Sequence, residues 1–188
     1  MKRCAWLTSV LMAAGLAALT PLVGLSADKD DKGTPVKIDG LTSVTPSSWK
    51  EEKPATRLRA KQFRVPHAEG DKDDAEVVIF FFGKGLGGSF DDNLTRWQAQ
   101  FYPPKGKKIA EVTKIEKMKA GAVPVTAAEI YGTYKGSGFV KMDPKPNYRT
   151  VKVYFDSENG PYFISLTGPD KTVEANKNAY LNWVKGFK

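Results

Sequence analysis

The period of apolar and polar positions changes along this chain, and the changes mark its elements. The strongest signal is at 76–82, where Glu76 is followed by Val77-Val78-Ile79-Phe80-Phe81-Phe82. An antiparallel strand with one wet face alternates apolar and polar residues. This run does not, which predicts a strand in the centre of a sheet, covered on both faces by helices or loops. Upstream, RLRAKQFRVP (57–66), with Leu58, Gln62 and Val65, predicts a first strand ended by Pro66; a polar loop follows over 66–74. Downstream, GKGLGG (83–88) is a turn. Ser89 then fits a helix N-cap, with Asp92 as its capping-box partner. Asp91 and Asp92 suit the positive end of that helix. Phe90, Leu94, Trp97 and Phe101 recur at helical spacing, and Pro103-Pro104 ends the stripe.

Two β-like runs follow between Ile109 and Tyr134, turned onto each other near Gly121. Pro144 and Pro146 mark a loop. Residues 149–156 alternate, with Val151, Val153 and Phe155 on one face. Ser157-Glu158-Asn159-Gly160 supplies turn chemistry, 162–166 returns as the hairpin partner, and Gly168-Pro169 closes it. A last helix begins near Thr172, with Val173, Tyr180, Val184 and Phe187 on one face and Trp183 near its edge. The order is strand, strand, helix, several antiparallel strands, helix, which predicts an α+β fold with a mainly antiparallel sheet.

The N-terminus follows a different rule. Lys2 and Arg3 precede an apolar stretch from Ala5 to about Leu19; Pro21 interrupts it, and Leu25-Ser26-Ala27 offers small residues before a polar run. That order predicts a cleavable signal peptide over 1–27, and so an exported, periplasmic or extracellular, protein. The apolar stretch is shorter than the roughly 20 residues that span a bilayer, so no stable membrane span is expected after cleavage. Cys4, the one cysteine, precedes the apolar core rather than following it, against a lipidated anchor. Cleavage removes it, leaving no disulfide and no thiol nucleophile. The formal charge falls from +8 to about +6, because two bases leave and no acid does. Residues 28–46 are polar and poor in large apolar groups, which predicts a flexible tether. Residues 47–188 then form one domain of a size that supports its own core.

Three stretches stand out: Trp49-Lys50-Glu51-Glu52-Lys53-Pro54, the run 76–101, and GPYFISLTGP (160–169) before a C-terminal helix. They resemble the PsbP-like superfamily, which includes an extrinsic photosystem II protein and a Ran-binding protein. The same stretches resemble exported bacterial members of unknown role. The resemblance covers roughly 47–188 and implies an α/β/α sandwich, with helices flanking a central, mainly antiparallel sheet. Its members act mostly by binding other proteins, so it implies a binding role and carries over no catalytic residue.

Candidate chemistry is sparse. The turn after the central strand offers Lys84, Gly85, Gly87, Gly88 and Ser89 as ligand-binding candidates, since backbone N–H groups at a helix start attract anions. Gly83, Gly85 and Gly88 match a dinucleotide spacing, but the following sheet does not read as parallel. The lysine also stands in the wrong place for a P-loop, and Asp91 and Asp92 oppose a phosphate. The bland reading is a tight strand-to-helix turn. His67 is the one histidine and reads as an exposed loop residue; alone it builds no typical zinc site. Asp71, Asp73 and Asp74 lack the spacing of a calcium loop and read as solvated. Lys105, Lys107, Lys108, Lys114, Lys117 and Lys119, with further bases at Lys141 and Lys145, read as a sheet edge guarded by charge. In a strand Lys117 and Lys119 share a face and Lys114 takes the other. Trp49, Trp97, Trp183, Phe80, Phe81 and Phe82 mostly fit core stripes. No cofactor, metal site or catalytic residue is expected. The expected function is non-catalytic binding of a protein or an envelope surface, with nucleic acid a poor fit for an exported chain. The alternative is small-ligand or anion binding at Gly83–Ser89.

Overall fold

The hairpin expected around Ser157–Gly160 forms the spine of the sheet. The computed structural model describes residues 32–136 and 142–188, so the expected signal peptide at 1–27 lies outside the described residues. Strands β9 (Lys145–Ser157) and β10 (Gly160–Pro169) pair antiparallel from Ser157↔Gly160 to Tyr148↔Pro169. β5 (Ala75–Phe81) joins the other side of β10, and β4 (Arg59–Val65) and the short β3 (Lys50–Glu52) continue outward. Beyond β9 lies β8 (Val123–Tyr134), which pairs at one end with β6 (Phe101–Tyr102) and along the rest with β7 (Thr113–Ala120). A 3-10 turn at Ile109–Val112 leads into β7. Every pairing is antiparallel, and β5 is interior as its unbroken apolar run predicts.

Alternation sorts the side chains into two cores. On one face, Val77, Ile79, Val153, Phe155, Ile164 and Leu166 meet Val173, Tyr180 and Val184 of helix α2 (Asp170–Lys185) and Phe187 just beyond its end. The buried Tyr180 hydroxyl donates to the Ile164 carbonyl at 2.9 Å. On the other face, Trp97 of helix α1 (Phe90–Gln98) packs with Phe101, Ala128, Ile130, Tyr148 and Phe163. Phe101 lies beyond the helix in β6, but it completes the stripe that the sequence placed on one helix.

The expected α/β/α sandwich is not what forms. The described residues make one eight-stranded antiparallel sheet, a separate two-stranded hairpin and two helices. The broad α+β class remains compatible. The physical reason lies in β5, whose two apolar faces do not need two helical layers. A nine-residue helix and a group of aromatic rings close the second face instead.

The flexible tether expected over 28–46 is also corrected from residue 32 on, where the described residues begin. Strands β1 (Pro35–Ile38) and β2 (Leu41–Val44) form a hairpin across Asp39-Gly40, with φ of 51° and 90°. Positive φ at both central residues is what a tight hairpin turn requires, and Asp-Gly supplies it cheaply. Val36 and Ile38 join the α2-side core, each 1% exposed. The Ser43 hydroxyl donates to the Trp183 carbonyl at 2.8 Å, and Thr42 N–H donates to the Lys188 carbonyl at 2.9 Å.

The start of α2 has no side-chain cap of its own, because Pro169 occupies the N-cap. Asp71 supplies the acceptor from a distant loop, receiving the Thr172 N–H at 2.8 Å and its hydroxyl at 2.6 Å. Half-buried Arg149 then ties the first turns of α2 to the sheet. It binds Glu129, Asp170 (2.6 Å) and Glu174 (3.2 Å).

Candidate functional site

β5 runs out of the sheet into the glycine turn, and four glycines there take positive φ: Gly83, Gly85, Gly87 and Gly88. Gly87 illustrates why. Its φ is 89°, and a Cβ there would sit 2.7 Å from the Phe163 ring. The turn is also pressed on the β9–β10 hairpin: a Cβ on Gly160 would lie 2.6 Å from Gly83 backbone. The carbonyl of Gly87 accepts from Arg96 Nη2 at 2.8 Å and from Asn93 Nδ2 at 2.9 Å, so α1 holds the turn down.

The helix start has the capping box that the sequence predicts. Asp92 N–H donates to Ser89 Oγ at 3.2 Å, while Ser89 N–H and Oγ–H donate to Asp92 Oδ2 at 3.1 and 2.6 Å. Those hydrogen bonds from Ser89, with Arg96 nearby, hold the Asp92 carboxyl below its usual range. The donors that an incoming phosphate would need are therefore shared with the protein's own carboxylate.

Between the turn and the β9–β10 hairpin lies a shallow groove of about 320 Å³, lined among others by Lys84, Leu86, Ser89, Tyr154, Asp156 and Glu158. Of the sequence candidates, Lys84, Gly85, Gly88 and Ser89 line this groove, while Gly87 packs on Phe163. The hairpin side contributes two carboxylates against the one lysine. The electrostatics suit a neutral or cationic guest better than an anion.

The same end of the sheet exposes large apolar side chains. Phe81 is 36% exposed, Phe82 38% and Leu86 60%. Phe81 stacks on Tyr162 with centroids 4.3 Å apart, and Phe82 stacks on Phe80 at 6.3 Å and meets Phe163 edge-on at 5.7 Å. This corrects the assignment of Phe81 and Phe82 to the core. Both stand where the strand leaves the sheet, and the adjoining glycine run was the signal for that.

The other candidates scatter. His67 is exposed, with Nδ1 2.6 Å from Asp74 Oδ1. The hydrogen bonds from His67 lower the Asp74 carboxyl. Asp73 accepts from Lys145 at 2.9 Å and from the Tyr148 hydroxyl at 2.7 Å, contacts that lower its carboxyl. Asp71 serves α2, so the three loop carboxylates share no partner. Lys117 and Lys119 do share one face of β7, and Lys114 takes the other.

Lys152 is a feature the sequence reading missed. It lies on β9 beneath α1, where Nζ donates to Gln100 Oε1 at 2.7 Å and sits 5.8 Å from the Trp97 ring. Among the described residues it has no carboxylate partner. Burial pushes its ammonium down to about 8.

Among the described residues, no helix is long and apolar enough to cross a membrane. No protein-family model matches the chain, and no curated protein does. Among solved structures it is similar to Protein of Unknown Function PA94 from Pseudomonas aeruginosa. The two are 14% identical, with 81% of this chain and 94% of that chain covered and a TM-score of 0.46.

Proposed function

We propose that this chain is an exported, non-catalytic binding domain that docks a partner protein through the glycine-turn end of its sheet. One observation carries the reading: Phe82 and Leu86 are large, apolar and exposed at a turn whose backbone is held by Arg96 and Asn93, with Phe81 exposed on the opposite face of the same strand end. Exposed apolar side chains on a rigid frame bind with little ordering cost. The resemblance of 47–188 to PsbP-like proteins supports the same reading, since such proteins act mostly by binding others. The test is capture from the envelope and secreted fractions on the immobilised full chain and on a Phe82→Ser, Leu86→Ser double variant. The wild type should retain a protein that the variant loses. Equal capture by both, or none by either, overturns the proposal.

A second reading has its own observation. The groove beside the turn offers Leu86 and Tyr154 as apolar walls and Asp156 and Glu158 as acceptors. That chemistry fits a small neutral or cationic molecule, such as a sugar or a polyamine. A ligand that binds only the folded state raises its melting temperature. A shift with sugars or polyamines and none with phosphates supports this reading; a shift with phosphate alone restores the anion site.

A further inference from the structure

The sheet has one long open edge. At its far side β3 is three residues long, whereas β7 runs for eight and pairs only with β8. The β7–β8 hairpin turns across Gly121-Ala122, with Ala120 opposite Val123. Gly121 has φ of 57°, the glycine-first pattern of a two-residue turn. The residues closing such a turn form a hydrogen-bonded pair, and bonded and non-bonded pairs alternate along an antiparallel ladder. The backbone groups of Ala120, Met118, Glu116 and Lys114 therefore point to β8. Those of Lys119, Lys117 and Ile115 point out of the sheet. Among the described residues, none of these three has a backbone partner there.

The side chains at those three positions share one face. Ile115 is 52% exposed, and Lys117 and Lys119 are exposed without an ion pair among the described residues. On the other face Glu116 is already engaged by Lys185 at 3.5 Å. Between 105 and 119 the chain has six lysines against two glutamates. The edge thus offers free backbone donors and acceptors beside unneutralised positive charge. A second copy would set these lysines against like charge, which destabilises a cross-strand pair. An acidic strand would satisfy both the backbone and the charge.

We propose that β7 is a docking edge that takes an extended acidic segment of a partner protein as an added strand. This is independent of the glycine-turn surface. The full chain is titrated by fluorescence anisotropy with a synthetic peptide matched to the eight residues of β7, alternating Glu with Thr. Amide exchange is followed in the complex. The peptide should bind and slow exchange at Ile115, Lys117 and Lys119. Lys117→Glu combined with Lys119→Glu should weaken binding about tenfold, since each opposite-charge pair becomes a like-charge pair. Its melting temperature should not change. A peptide with a central proline lacks a ladder donor and should not bind. Failure of the acidic peptide to bind overturns the proposal. Equal binding by the proline peptide or by inorganic polyphosphate also overturns it, reducing the edge to a charge patch. Concentration-dependent self-association that slows the same amides without peptide overturns it as well, assigning the edge to a second copy.

Discussion

Lys152→Met should make the protein more stable at neutral pH and remove part of its pH dependence. In the folded chain burial lowers this ammonium from 10.5 to about 8. Below pH 8 the amine is protonated in both states and adds no slope. Between about 8 and 10.5 the unfolded chain holds a proton that the folded chain has released. Stability therefore rises with pH across that window. The full difference corresponds to on the order of 3 kcal/mol. The residue keeps partial exposure, so solvent screening reduces this to about 2 kcal/mol. Methionine fills similar volume without the charge, and the cost is the bond to Gln100 Oε1, about 1 kcal/mol. A net gain of about 1 kcal/mol at pH 7 remains. Urea unfolding of both proteins from pH 6 to 9.5 measures it. The range stops short of the tyrosines, which burial pushes above their ordinary value of 10.0 and which erode stability beyond it. Parallel curves for the two proteins, or a variant less stable at pH 7, would refute the reasoning.

Ile38→Ala should cost about 3 kcal/mol, because it empties a core position in the β1–β2 hairpin; chemical denaturation checks it, and a flexible tether would show no change. Glu129→Gln should cost about 1 kcal/mol, because Arg149 loses one charged acceptor but keeps Asp170 and Glu174. Amide exchange should then speed up first in the opening turns of α2. Gly87→Ala should destabilise by more than about 1 kcal/mol, because alanine there has an unfavourable φ and meets the Phe163 ring; thermal unfolding measures it.

Local chemistry was legible where a few neighbouring residues decide the outcome. The Ser89–Asp92 cap, the turn at Ser157–Gly160 and the interior place of β5 all follow from short patterns. The β1–β2 hairpin did not, because averaging the polarity of 28–46 hid Val36, Ile38 and the Asp-Gly turn between the strands. The second helical layer came with the family resemblance rather than from β5 itself. Apolar residues on both faces report that something covers them, not that a helix does. Strand parity likewise cannot show that Phe81 and Phe82 stand at a sheet's end. Lys152 occupies a polar place in the alternation of 149–156, and only the approach of Gln100 and Trp97, far away in sequence, isolates it.

The central claim is that a partner meets the glycine-turn end of the sheet. A photo-reactive amino acid placed at Phe82, and a control at Val44, which is also exposed, tests it in the cells that make the protein. The account predicts a discrete adduct with one partner protein from position 82 and none from position 44. No adduct at 82, or the same adducts from both positions, would contradict it.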